Sequence, residues 1–193
     1  MLKDRPLRSI ELTEELDNIL HGCIQGERSA QAYLYKMYSA KMFGVCLRYC
    51  HNYEEAKDIL QDGFIKVFEK IHQYGQRGYF EGWVRRIMIN TALERYRKSN
   101  QIILMEQIPE TYQEEDNEID LDITMNELLD FVQKLPERYR MVFNFYVFEE
   151  MSHKEIAETL GITEGTSKSD LSRARGILQS KINIRTKQVV KIG

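Results

Sequence analysis

The sequence predicts an all-α protein: two small helical domains joined by an acidic linker, the C-terminal one a helix-turn-helix. Three observations carry this. Apolar residues recur at spacings of three and four through most of residues 10–99 and 124–182, the period of a helix with one buried face. Only 3 Pro interrupt 193 residues, and helix formers dominate between them. Charge is also segregated. Residues 101–130 hold 10 Asp and Glu and no Lys or Arg, whereas residues 1–100 carry 16 basic against 13 acidic and residues 131–193 carry 11 against 7. The net charge of −3 therefore averages two mildly basic parts with one strongly acidic one.

The elements follow in order. Leu12, Leu16, Ile19 and Leu20 mark a first amphipathic helix. A long second helix spans about Ser29 to Tyr49. A third spans about Tyr53 to Ile71, with Leu60, Phe64, Val67, Phe68 and Ile71 on one face. Gly75, Gly78 and Gly82 break the pattern and predict a loop from His72 to Gly82. A fourth helix carries Trp83 through about Lys98. Residues 100–123, with Pro109 and the run Glu114 to Glu118, have no sustained apolar period and read as a flexible acidic linker. The second domain starts near Thr124, with one helix to about Lys134 and another from Pro136, suited to a first helical turn, to about Phe148.

The most specific local pattern comes next. Ser152 and Glu155 form a capping box, and Ile156, Ala157 and Leu160 give the short helix behind it one apolar face. Gly161 can take positive φ just past that helix. Thr163 can cap the next one, whose apolar stripe runs Leu171, Ala174, Leu178. A second helix in this arrangement can enter the major groove of DNA. DNA binding is therefore the first functional expectation, and an enzyme is not.

Other classes have little support. The N-terminus has no apolar run after a basic start, so no signal peptide is expected, and no stretch approaches the roughly 20 apolar residues of a membrane span. Three Cys lack the paired spacing of a zinc site and read as reduced thiols of a cytoplasmic protein. Cys46, Cys50 and His51 lie close together, but buried thiols in a helix are the better reading than a metal site. No phosphate loop, zinc-protease motif or nucleophile–base motif occurs. No cofactor, metal ligand or catalytic residue is expected. The basic tail from Lys181 to Lys191 reads as a frayed terminus.

Three segments in one order resemble the extracytoplasmic-function (ECF) group of bacterial RNA polymerase sigma factors, over roughly Gln25 to Lys181. Residues Ala56 to Phe68, reading AKDILQDGFIKVF, resemble their polymerase-binding helix. Residues Phe80 to Ala92, reading FEGWVRRIMINTA, resemble the segment that melts and reads the −10 element. LPERYR, Leu135 to Arg140, together with the helix-turn-helix resembles the promoter-binding C-terminal domain. A helix-turn-helix alone is weakly specific; the three segments in this order are highly specific.

The resemblance assigns roles. Asp58, Gln61, Asp62, Phe64 and Lys66 would dock on core polymerase (β and β′ subunits). Asp58 and Asp62, four apart, share a helix face, where like charges are mildly unfavourable unless a basic partner meets them. Tyr79, Phe80, Arg85, Arg86, Asn90 and Arg95 would take the melted −10 strand. Basic side chains beside aromatics suit single-stranded DNA, since phosphates take the charges and unstacked bases lie on rings. An Asn amide, donor and acceptor at once, can read a base edge. Trp83 is better read as core. Lys168, Ser169, Ser172 and Arg173 would contact the −35 element, with Arg173 able to grip a guanine edge. The family often has Val at the place of Ser167 and a basic residue at that of Asp170. Ser167 is expected to weaken packing slightly or find a backbone acceptor, and Asp170 to repel phosphates or accept from a cytosine amino group.

The expected function is that of an ECF sigma factor, with residues 10–99 binding core polymerase and the −10 element, 100–123 as linker, and 124–182 reading the −35 element. Its expected partners are core polymerase, promoter DNA and an anti-sigma factor, and it is expected to be a monomer when free, without membrane insertion. The alternative is a helix-turn-helix regulator that binds duplex DNA without polymerase and dimerises on a palindrome.

Overall fold

The computed structural model describes residues 7–75, 79–100 and 123–190. The linker expected at 100–123 lies, its ends apart, outside them, as does Arg77. Among the described residues there are eight α-helices, one short 3₁₀ turn and no strand. The helices are α1 (Leu7–Ile24), α2 (Arg28–Tyr49), α3 (Tyr53–Lys70), α4 (Phe80–Asn100), α5 (Met125–Gln133), α6 (Glu137–Phe148), α7 (His153–Leu160) and α8 (Glu164–Val190). The chain divides into two compact units: one of residues 1–46 and 56–94, the other of residues 47–55 and 95–193.

In the first unit the helical period decides what is buried. Ala56, Ile59, Leu60, Gly63, Phe64 and Val67 form the inner face of α3, and Val84, Met88 and Ala92 form that of α4. Gly63 sits against Met88, leaving no room there for even a methyl group. Rings of Tyr38, Tyr74, Phe80 and Trp83 cluster where α2 meets the start of α4, with centroids 5.0 to 5.6 Å apart, a spacing suited to edge-on aromatic contact. The expected loop is shorter than its glycines implied. Ile71–Gln73 form a 3₁₀ turn and α4 begins at Phe80, because Tyr79 O accepts from both Gly82 N and Trp83 N and so opens the helix.

In the second unit the caps fall where the sequence places them. Ser152 and Glu155 make the reciprocal capping box of α7, and Gly161 closes that helix at φ 69°, ψ 36°, a left-handed conformation that glycine adopts without steric penalty. Thr163 Oγ1 accepts from Thr166 N at 3.0 Å and opens α8. Thr124 and Glu127 form a second capping box on α5. Leu135, Tyr139 and Ala174 form a small core, with Phe143, Ile177 and Leu178 packed on it. Arg140 is fully buried in this unit. Its guanidinium donates to Tyr49 O, Gln133 O and Leu135 O and meets His51 Nδ1 at 2.9 Å, so the buried group is met by hydrogen-bond partners.

One expectation is corrected here. The tail from Lys181 does not fray at once: α8 continues to Val190. Arg185 donates to Glu127 at 2.7 Å, tying the helix extension to the start of α5. Glu127 also accepts from Thr124 backbone and hydroxyl, and these bonds together with Arg185 hold its carboxyl down at about 2.

Candidate polymerase and nucleic-acid interfaces

The outer face of α3 follows from the burial of the inner one. Asp58, Gln61 and Asp62 are exposed in one row at i, i+3 and i+4. Ile65 continues that row one turn on, and 56% of its surface is open to solvent. Sequence reasoning missed Ile65; the signal was its place in the acidic row, opposite the apolar stripe. Two residues of the expected docking set lie elsewhere. Phe64 is 3% exposed, and its ring packs against Tyr35 with centroids 4.7 Å apart. It belongs to the core because position 64 falls about 100° round the helix from Ile65. Lys66 turns toward α4, where its ammonium meets Glu94 at 2.6 Å and Thr91 Oγ1 at 3.2 Å.

The expected −10 residues also separate by face. Tyr79 is 92% exposed at the head of α4. Arg86 and Asn90 are exposed one turn apart, and Arg85 is half-buried beside them. A row of polar groups thus leads away from an open ring, an arrangement able to hold a phosphate, a base edge and a stacked base together. Phe80 is 3% exposed and belongs to the aromatic cluster, not to the open surface. Trp83 is half-buried in the same cluster. Within that cluster burial raises the Tyr38 and Tyr74 phenols above their ordinary value, so both rings stay neutral. Arg95 is half-buried, 3.8 Å from Glu55.

On α8 the exposed face holds Lys168, Ser169 and Ser172. Arg173 stands at its edge, half-buried, with Nη1 3.4 Å from the Tyr139 hydroxyl. Arg175, which sequence reasoning passed over, is exposed on the Lys168 side of the same face. Its guanidinium lies 5.5 Å from the centroid of Tyr146, a ring that in turn stacks on His153.

Both departures on this helix resolve differently from expectation. Ser167 is fully buried, and its hydroxyl meets His153 Nδ1 at 2.9 Å; the partner is a side chain, not a backbone acceptor. Asp170 is also fully buried. Arg138 holds it through two bonds, Nε to Oδ2 at 2.6 Å and Nη2 to Oδ1 at 3.2 Å. Asp170 is therefore placed neither to repel phosphate nor to read cytosine. The three cysteines are buried, and burial pushes the Cys46 thiol up to about 12, an unreactive state.

Comparison with known proteins covers both units of the chain. Residues 34–102 match the family described as Sigma-70 region 2, and residues 125–178 match Sigma-70, region 4. The ECF RNA polymerase sigma-E factor of Haemophilus influenzae is 30% identical over 172 residues, covering 82% of this chain and 90% of that one. The ECF sigma factor SigW of Bacillus subtilis is 28% identical over 177 residues, covering 82% and 91%. The solved structure of sigma factor RpoE with anti-sigma factor NepR from Bartonella quintana aligns at a TM-score of 0.47 and 18% identity, over 79% of this chain and 96% of that one. The two regions in order define a sigma-70 type transcription initiation factor. This chain belongs to the ECF RNA polymerase sigma factors.

Proposed function

We infer that the protein directs core RNA polymerase to specific promoters, with labour divided between the two matched regions. The observation that carries this reading is the α3 row. Asp58, Gln61, Asp62 and Ile65 form one exposed acidic strip with an apolar end, inside the region 2 match. Such a strip suits a basic helical partner that also offers apolar surface. Residues 10–99 then serve core polymerase and the −10 element, the latter through Tyr79, Arg85, Arg86 and Asn90. Residues 124–182 serve the −35 element through Lys168, Ser169, Ser172 and Arg173, with Arg175 joining them.

On this reading the protein carries no catalytic group, since polymerase adds the nucleotides. It works in the cytoplasm, is a monomer when free, and is held by an anti-sigma partner until needed. No described helix is long and apolar enough to cross a membrane. Free protein binds duplex promoter weakly, because few cations are offered to phosphate.

The test is binding to purified bacterial core polymerase, wild type against Asp58→Arg/Asp62→Arg. Tight binding by the wild type, lost in the double variant, is expected. Failure of the wild type to bind core, together with specific duplex binding by the protein alone, would instead establish a polymerase-independent regulator.

A further inference from the structure

The buried pair Asp170–Arg138 lies directly behind the DNA-facing side of α8. At 100° per residue, Asp170 stands about 160–200° round the axis from Lys168 and Ser172. Ser167 adds one directional bond behind α8, its hydroxyl 2.9 Å from His153 Nδ1, but a single bond leaves a hinge where a two-bond fork does not. Ala174 packs in one apolar cluster with Tyr139 of α6, and Leu171 is buried beside it in sequence; apolar contact is non-directional and tolerates a roll of the helix. A guanidinium gripping a carboxylate side-on by two parallel bonds does not, because the planar fork accepts one orientation. Arg138 itself is the second residue of α6, so the fork joins the start of one helix to the middle of the other.

We propose that Asp170 is a positioning residue for promoter readout: with Arg138 it sets the rotational register of the recognition helix, and so decides which side chains meet the −35 bases. The inference rests on the reading of α8 as the −35 element's reader. It accounts for a negative charge on a helix that faces DNA, since that charge is spent inside the protein. Asp170 touches no base. Its effect is on selectivity among −35 sequences and not on attraction to DNA as such.

The experiment uses the full-length protein assembled with core polymerase, on a promoter library randomised at −35. Wild type is compared with Asp170→Asn, which keeps the shape but loses one of the two bonds. Asp170→Ala and the exchanged pair Arg138→Asp/Asp170→Arg complete the set. Thermal melting of each free protein reports folding. Arg138 keeps 38% of its side chain exposed, so it can turn to solvent when Asp170 is neutralised, and both single variants are expected to fold. The expected result is a loss of about tenfold in preference for the best −35 sequences over the rest, the scale of one well-made base contact. Binding to unrelated duplex should be unchanged, with preference recovered in the exchanged pair. A wild type that ignores −35 sequence would overturn the reading of α8 and this inference with it. A wild type that discriminates, beside folded Asp170→Asn and Asp170→Ala proteins with the same preference, would overturn the inference alone.

Discussion

Ile65 and Phe64 are neighbours in sequence with opposite fates, and replacing each by alanine tests which side of α3 meets the polymerase. Ile65 keeps 56% of its surface exposed in the free protein, on the order of 100 Å². Covering that area in a complex contributes at most ~2.5 kcal/mol, at ~25 cal/mol per Å². Alanine would retain about a third of it, so Ile65→Ala should weaken core binding by ~1.5 kcal/mol, about 12-fold in Kd. Its effect on folding should stay within ~0.5 kcal/mol, as for other exposed positions. Phe64 is 3% exposed, with its ring against Tyr35 and Phe68. Phe64→Ala should remove ~3–5 kcal/mol of folding stability through lost transfer and a residual cavity. Whatever folded protein remains should bind core as the wild type does. The assay is competition with a labelled wild type for core polymerase, with urea melts giving the folded fraction. The reasoning is refuted if folded Phe64→Ala binds core tenfold more weakly while Ile65→Ala binds normally. That outcome would place the docking surface on the face assigned here to the core.

Three further outcomes follow from other contacts. Gly63→Ala forces a methyl into Met88, which is fully buried; it should cost ~1–3 kcal/mol of stability, as overpacking does, read from a urea midpoint, and an unchanged midpoint would mean that α3 and α4 are more loosely packed than described. Arg138→Leu leaves the fully buried Asp170 carboxylate without its partner and should destabilise by ~3–5 kcal/mol, more than Asp170→Asn does, because Arg138 can reach water and Asp170 cannot; equal losses from the two would contradict that asymmetry. Glu127, held at about 2 against an ordinary 4.5, has a depressed folded pKa, so its contribution to stability is fully present above ~4.5 and is lost as pH falls toward about 2; melting across that window should be steeper in wild type than in Glu127→Gln, and identical slopes would rule the contribution out.

How much of this was readable in advance depends on the range of the interaction. The caps Ser152, Gly161 and Thr163 act within four residues of themselves, and local chemistry is enough to place them. The apolar residues Leu60, Phe64 and Val67 of α3 and Leu171 and Ala174 of α8 follow from a period of 3.6 and needed no partner to be known. Site residues transferred as a run of sequence did less well, because a family segment is contiguous and a helix face is not. Phe64, Lys66 and Phe80 all lie within matched segments, yet none presents its side chain on the exposed row. Ile65 and Arg175 do, and helical phase alone could have selected both.

Asp170 and Ser167 failed for a different reason. Each is a polar residue on a helix with an amphipathic pattern, and nothing within one turn satisfies it. The partner of Asp170 lies 32 residues back in α6 and that of Ser167 lies 14 back at the start of α7. Sequence period can state that a polar group faces inward; it cannot state what meets it there. A buried polar group must nonetheless be met, since leaving it unpaired costs more than the bond itself is worth. An inward-facing Asp on a recognition helix is therefore a demand for a cation on the packing helix, and Arg138 and Arg140 were the two candidates in LPERYR. Helical phase separates them. Arg140 turns into carbonyls of its own unit, and Arg138 is left to face α8. The same rule extends to Ser167, whose inward position calls for a donor or acceptor at the head of α7, where His153 stands.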